Sequence, residues 1–327
     1  MERGLRLGLE QVNASGLAGR EVALLVKDDG GQTERSAANT RALAQEGVLA
    51  VTGYHGGIAI EAILPTLEQE GLALIGAASS AENLREPASR LVFNLRAGAR
   101  EEAAAMVTQL DTVGLTEVAV LAQEDALGSA GLEGMKVELA RLAIRPTAVA
   151  RVRADADPTA FARAVEIVCA KPPQALVLVL DARNALAAIR LARKRGCSSQ
   201  FYVMSDAGGQ LLASGMASGE LAGVVVSQVL PHPGSASIPL VADYQRLNRQ
   251  AGAAPSYPGL EGFLYARVLA EAIRRCPRDP SRRCVSQSLE GKALEIGGYR
   301  LQFTADDHRG SRLVEMTIVT ADGRFRR

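Results

Sequence analysis

Short apolar runs alternate with stretches of helical periodicity along nearly the whole chain, and this alternation constrains the fold more than any other feature. Strand-like runs stand at 22–26, 48–51, 72–75, 118–121, 175–180, 201–204 and 222–229. They are short and do not alternate apolar with polar, the pattern of parallel strands covered on both faces. Between them, apolar residues recur at helical spacing over 33–45, 58–70, 100–113, 129–142, 158–169 and 182–195. Strand and helix taking turns in this order predict an α/β fold of open, doubly wound parallel sheets with helices on both faces.

The rhythm breaks twice. At 91–99 the strand-like Leu91-Val92-Phe93-Asn94-Leu95 runs into Arg96-Ala97-Gly98-Ala99, and at 230–235 the chain is rich in turn formers. Two helical stretches follow, 239–250 and 258–275, then a strand pair at 296–303 and 313–319 and a polar hairpin at Ala321-Asp322-Gly323. One sheet before the first break and a second between the breaks predict two lobes with several crossovers. The length of 327 residues suits two domains. Ligands in such folds sit where strand carboxyl ends and helix amino ends converge, here expected in a cleft between lobes.

Charge and composition narrow the function. With 37 Lys+Arg against 36 Asp+Glu, the chain lacks the positive surplus that phosphate neutralisation requires, so no nucleic-acid partner is expected. No apolar run approaches the roughly 20 residues of a membrane span. Trp is absent and aromatics are 4%, which leaves backbone groups, hydroxyls and aliphatic walls to make a pocket. Met1 to Glu10 reads as an amphipathic helix, without the charged and apolar regions of a signal peptide. That start fits either a cytoplasmic protein or a chain lacking its native beginning.

The four cysteines fit no metal spacing, and His55, His232 and His308 show no ligand-like spacing to them. Cys276 and Cys284 bracket a short polar segment; a disulfide and two unrelated thiols are both open readings, the disulfide pointing to an oxidising compartment. Cys169 and Cys197 read as small apolar fillers near helix ends. Asp306-Asp307-His308 is the one His–carboxylate cluster, and a solvated loop explains it better than a ligand set. No metal and no cofactor are expected.

Catalytic patterns are missing. No GxGxxG follows the first strand; Asp28-Asp29-Gly30-Gly31 stands there instead, and two carboxylates oppose a pyrophosphate. There is no phosphate loop of the GxxxxGK[ST] type and no serine-nucleophile elbow. Binding patterns are present. After 48–52 comes Gly53-Tyr54-His55-Gly56-Gly57, and after 72–75 comes Gly76-Ala77-Ala78-Ser79-Ser80, each leading into a helical stretch. Small residues let a ligand approach the main chain, and free N–H groups at helix amino ends favour an anion. Ser79 and Ser80 are read either as helix caps or as hydroxyls for a carboxylate.

These segments, in order, resemble the type I periplasmic binding proteins, specifically the branched-chain amino acid (Leu/Ile/Val-type) substrate-binding components of ABC transporters. The resemblance runs from the helix at 4–13 through Asp28-Asp29, 53–57 with Pro65, 75–80, 93–96 and Asp125-Ala126-Leu127-Gly128. It continues through Pro255-Ser256-Tyr257, Glu261-Gly262 and 307–312. Family members begin with a strand before the first helix, so the resemblance implies that the first strand is missing from the lobe and that the chain is trimmed or the lobe remodelled.

The resemblance implies two sheet-based lobes, 1–97 with 230–310 and 98–229 with 311–327, joined by a multi-crossover hinge. It implies a receptor without catalysis that captures a small carboxylate or amino acid by closure and presents it to ABC permease subunits, in the periplasm. By position, Gly57, Ala78 and Ser80 match the family's carboxylate-holding residues, with Gly57 in place of the usual Ser. Leu127 stands where a cleft Tyr is common. Asp206 matches an acid that pairs with an α-ammonium, and Asp181 is a second candidate; a helix cap explains either acid as well. Tyr54, His55, Gly56, Ser79 and Tyr257 complete the candidate ligand-binding set. The lost hydroxyl and ring leave a larger apolar, aromatic or amide ligand open, and a cytoplasmic ligand sensor of the same fold is the alternative function.

Overall fold

A computed structural model describes residues 1–17, 20–85, 90–207, 218–277 and 279–326. The chain divides into two compact units. Unit 1 comprises Met1–Ser79, Asn83–Ala97 and Leu230–Arg312; unit 2 comprises Ser80–Glu82, Gly98–Val229 and Leu313–Arg327. Residues 80–82, expected with the first lobe, belong to unit 2 because Ser80 bonds to Glu102 and Asp206, and Glu82 accepts the N–H of Arg100. Residues 311–312, expected with the second lobe, stay with unit 1, where Arg312 pairs with Asp307 at 3.6 Å.

Unit 1 opens with α1 (Glu2–Ser15), whose Leu5, Leu9 and Val12 form a buried stripe at helical spacing. After α2 (Thr33–Gln45) come β1 (Ala50–Val51), α3 (Gly57–Glu70), β2 (Ala73–Ile75) and β3 (Val92–Phe93). The three strands pair in parallel in the order β1-β2-β3. The helix α3 ends at Gly71, whose φ of 59° is the left-handed cap that glycine takes without strain.

The later part of unit 1 adds the helices α8 (Pro239–Gln250) and α9 (Tyr257–Arg275) to the same core. The first helix lies against α9 at backbone distance: a Cβ on Gly4 would stand 1.8 Å from the Gly259 carbonyl, and one on Gly262 would stand 2.2 Å from that of Met1. Only glycine fits such a crossing. The pair Cys276–Cys284 is a disulfide, with Cα atoms 5.9 Å apart. It joins the end of α9 to a helix at Arg282–Leu289 (α10), which Ser281 caps through Cys284 N–H at 3.1 Å.

Three expectations need correction. The run 22–26 forms no strand, because no neighbour pairs with it; Leu25 and Val26 are 46% and 50% exposed. The runs 296–303 and 313–319 do not pair with each other. The first folds on itself as the hairpin β9 (Leu294–Ile296) and β10 (Tyr299–Leu301) in unit 1, turning at Gly297-Gly298. The second joins the sheet of unit 2. Finally, the solvated-loop reading of 306–308 fails at His308, which is 6% exposed and stacks on Phe93 with ring centres 4.2 Å apart.

Unit 2 carries α4 (Ala99–Thr112), β4 (Val118–Gln123), α5 (Ala126–Arg141), β5 (Ala148–Val152) and α6 (Pro158–Cys169). It continues with β6 (Ala175–Val179), α7 (Ala182–Lys194), β7 (Gln200–Val203), β8 (Val225–Gln228), β11 (Glu315–Val319) and β12 (Phe325–Arg326). The strand order is β12-β11-β8-β7-β6-β4-β5, parallel from β8 to β5 and antiparallel at β11 and β12. Leu121, Leu176 and Leu178 face one apolar layer, with Val165 of α6 and Ile189 of α7. Val118, Val120 and Val177 face the other, with Met106 of α4 and Met135 of α5. Both faces are covered, which is why these strands read as unbroken apolar runs.

Candidate functional site

In unit 1 the turns after β1 and β2 lie side by side. His55 and Ala78 form a parallel bridge; Ala78 N–H donates to the Tyr54 carbonyl at 3.0 Å and Gly56 N–H to the Ala78 carbonyl at 3.2 Å. Gly56 precedes α3 with a φ of 83°, a conformation that strains any side chain. No side chain caps α3. Among the described residues the N–H groups of Gly57, Ile58 and Ala59 therefore have no partner, the first intrahelical bond being Ile60 N–H to the Gly56 carbonyl. This leaves a neutral, donor-rich helix start beside a second turn. Ala78 and Ser79 lie beside it, fully buried.

The Tyr54 hydroxyl is bonded to Thr40 at 2.5 Å, and burial raises its pKa above the usual phenol value while that bond opposes the rise. The neighbouring pair Asp28-Asp29 folds its own glycine turn: Asp28 accepts Gly30 N–H at 2.9 Å, and Asp29 accepts Gly31 N–H at 2.8 Å and the Ser36 hydroxyl at 2.5 Å. Those bonds, Ser36 first, hold the Asp29 carboxyl below the usual carboxylate range. Elsewhere in unit 1, Tyr257 begins α9, capped by Ser256, with its ring edge-on to His232 at 5.8 Å. Arg85, 5% exposed, donates to the carbonyls of Ser79 and Ala97 at 2.9 and 3.0 Å, fixing the chain where it leaves the unit.

Unit 2 gathers acids at the carboxyl ends of its parallel strands. Asp206 follows β7 and accepts Ser80 N–H at 2.9 Å and the Ser80 hydroxyl at 3.0 Å. Glu102, fully buried on α4, accepts the Ser80 hydroxyl at 2.5 Å, Ser205 N–H at 2.8 Å, the Ser205 hydroxyl at 2.9 Å and the Ser227 hydroxyl. Asp181 caps α7, its two oxygens taken by the backbone and side-chain amides of Asn184 at 2.8 and 3.1 Å. Gln123, at the end of β4, ties this cap to the next one: it accepts from Asp181 N–H at 3.2 Å and donates to Asp125, the cap of α5, at 2.6 Å. Leu127 sits half-buried in the first turn of α5.

The structure thus brings Tyr54, His55, Gly56, Gly57, Ala78 and Ser79 together in one unit, and Ser80 with Asp206 in the other. Asp181 takes the cap role that the sequence left as its alternative. Sequence reasoning missed Glu102, Ser205, Ser227 and Gln123. A signal existed for Glu102, which interrupts the apolar stripe Ala99, Ala103, Met106 and Leu110 of α4. Among the described residues, no group of three or more His, Cys, Asp or Glu side chains is placed to hold a metal ion.

Comparison with known proteins adds to this geometry. A family model described as periplasmic binding protein matches residues 1–324. A solved structure of a possible leucine/isoleucine/valine-binding protein from Rhodopirellula baltica is similar at 26% identity and a TM-score of 0.89, covering 100% of this chain and 90% of that one. A substrate-binding periplasmic protein from Ralstonia solanacearum is similar at 29% identity and a TM-score of 0.85, covering 99% and 93%. An ABC transporter substrate-binding protein from Desulfitobacterium hafniense, solved in complex with Leu, shares the fold at 19% identity and a TM-score of 0.82, covering 99% and 94%. Among curated proteins, none matches the sequence.

Proposed function

Because this chain belongs to the periplasmic binding protein family, we propose that it is the solute receptor of an ABC importer, working in the periplasm on a small carboxylate or amino acid. The observation that carries the reading is the open start of α3. Gly57, Ile58 and Ala59 present N–H groups without partners among the described residues, held by the bridge of His55 to Ala78. Such a helix start favours an anion through both its donors and its dipole. Each charge-assisted bond contributes about 1.5–3 kcal/mol, so a carboxylate is held there without an arginine clamp.

Unit 2 supplies the opposite sign. Asp206 already accepts two bonds from Ser80, and a carboxylate has lone pairs left for an α-ammonium. A ligand that draws on both units stabilises the arrangement in which both reach it, and the bound form is what permease subunits recognise. The role is binding without bond making or breaking. The solved relative with Leu bound makes branched-chain amino acids the first ligands to test.

The test is a thermal-shift panel of leucine, isoleucine, valine, small carboxylic acids, aromatic acids and small amides. A ligand that prefers the native state raises the midpoint with concentration. A rise with amino acids or carboxylates supports the reading; a rise confined to neutral amides removes the carboxylate site.

A further inference from the structure

A buried polar cluster in unit 1 backs the turn that follows β2. Glu261 and Tyr265 stand one turn apart on α9, and the Tyr265 hydroxyl donates to Glu261 Oε1 at 2.7 Å. Arg96, in the stretch after β3, reaches the same oxygen at 3.4 Å. All three side chains are buried. Burying an ion pair costs desolvation that its own attraction rarely exceeds, so such a pair adds little net stability. It supplies direction instead. With Glu261 held by Arg96, the phenol hydroxyl has a fixed place to point, and the ring turns with it.

The ring lies against Gly76. A Cβ there would stand 2.3, 2.4 and 2.5 Å from Cε1, Cζ and Cδ1 of Tyr265, so the ring takes the space of a side chain. The φ of Gly76 is 80°, which glycine adopts without strain. Gly76 N–H donates to the Phe93 carbonyl at 2.9 Å, and the Ile75 carbonyl accepts the Thr52 hydroxyl at 2.6 Å. Two residues on, Ala78 N–H donates to the Tyr54 carbonyl and the Ala78 carbonyl accepts Gly56 N–H. Gly56 is the residue before the open start of α3. An unbroken path therefore runs from the Tyr265 ring through Gly76, Ala78 and Gly56 to that helix start.

We infer that Tyr265, aimed by Glu261 and Arg96, is a positioning residue for the carboxylate site. Its ring is the bed of the 76–79 turn, and that turn sets Gly56 and with it the N–H groups of α3. The inference rests on the reading of that helix start as the carboxylate site. It accounts for two features together: a glycine at 76, where a methyl would strike the ring, and a carboxylate at 261 among the buried residues of α9. A ring kept only for its volume needs no hydroxyl, no Glu261 and no Arg96.

Hydrogen exchange of the solute-free chain tests the positioning itself. Tyr265→Leu removes the ring and Tyr265→Phe keeps it without its aim; Val241→Ala, a buried truncation on α8 of the same unit, is the control for lost stability alone. Positioning predicts exchange faster by roughly tenfold or more at the Gly56 and Ala78 amides in Tyr265→Leu, with a smaller rise in Tyr265→Phe. In Val241→Ala these amides change only as the lowered unfolding midpoint changes every protected amide. Exchange at Gly56 and Ala78 that matches the parent in either Tyr265 variant, or that follows the midpoint alike in all three, overturns the inference. Should Tyr265→Leu not fold, Tyr265→Phe carries the same comparison.

Calorimetry with leucine adds a readout of the site. Tyr265→Leu is expected to bind leucine roughly tenfold more weakly than the parent, the worth of about one well-placed hydrogen bond. Gly76→Ala is expected to weaken binding less in the Tyr265→Leu background than in the parent, because its methyl then meets no ring. Additive losses overturn the role of the contact. Unchanged leucine affinity in Tyr265→Leu, with faster exchange at Gly56, contradicts a carboxylate at the start of α3 and not the positioning of the turn. Failure of the parent to bind leucine counts against the proposed ligand, and the exchange result alone then decides the positioning.

Discussion

Asp206 accepts both donors of Ser80, the backbone N–H at 2.9 Å and the hydroxyl at 3.0 Å, and so fastens the segment 80–82 to the end of β7. The same hydroxyl reaches Glu102 at 2.5 Å. Replacing Ser80 by Ala leaves the N–H bond and removes the hydroxyl from two carboxylates. Urea unfolding of Ser80→Ala is expected to show a loss of about 1–3 kcal/mol. An unchanged midpoint contradicts the geometry.

Glu102 is the centre of that cluster, accepting from Ser80, Ser205 and Ser227 on a side chain that has no exposed surface. Its removal leaves the Ser205 N–H and three hydroxyls to find other partners. Glu102→Ala is expected to cost about 3 kcal/mol or more, the upper range for an orphaned buried polar group. Glu102→Gln keeps the volume and one acceptor and is expected to lose less; equal loss in both variants argues that charge, not shape, matters here.

His308 supplies a pH signature. Burial lowers its pKa from the usual imidazole value, and the charge and hydrogen bond of Glu290 oppose the shift without cancelling it. The unfolded chain then binds the proton first as pH falls. The stability His308 contributes is present above its unfolded pKa of about 6.5 and is lost as pH falls toward the lower folded value. Asp29 and Asp307, both held low by hydrogen bonds, act the same way further down, below about pH 4. Unfolding free energies measured between about pH 7 and 5 are expected to fall less steeply in His308→Gln than in the parent.

The disulfide is a separate lever. Cys276 and Cys284 are 8 residues apart in sequence, and the chain-entropy relation gives about 2.5 kcal/mol for closing a loop of that length. The double variant Cys276→Ser, Cys284→Ser is expected to lose that order of stability. The remaining thiols tell a different story. Burial, helped by a hydrogen bond that the Cys169 thiol donates to Cys197, pushes the Cys169 thiol up to about 12, and its alkylation at neutral pH is expected to be slow.

How much of this was legible beforehand depends on whether a residue's role is local. β4 and β6 were legible because apolar cover on both faces leaves its mark on consecutive residues. β5 was not, because it is an edge strand with Val149 and Arg151 exposed, a pattern the search for continuous apolar runs passes over. The run 22–26 has strand composition, but a strand exists only through its neighbours. Asp181 and Asn184 show their cap through a spacing of three, as helix starts do. The partners of Ser80 lie 22 and 126 positions away, and no local pattern announces bonds across such separations. Equally, nothing in Asp306-Asp307-His308 foretells that the imidazole closes over Phe93.

Calorimetry on Gly57→Pro tests the central claim most directly. Proline is tolerated at the first position of a helix, where Gly57 stands in α3, so the substitution removes one N–H donor while the helix is kept. The account predicts that the amino acid found by thermal shift binds the parent, that its decarboxylated amine does not, and that Gly57→Pro weakens binding by about 1.5–3 kcal/mol with the unfolding midpoint held. Equal affinity of parent and variant for the carboxylate, or equal binding of the amine, contradicts a receptor that holds its solute at the start of α3.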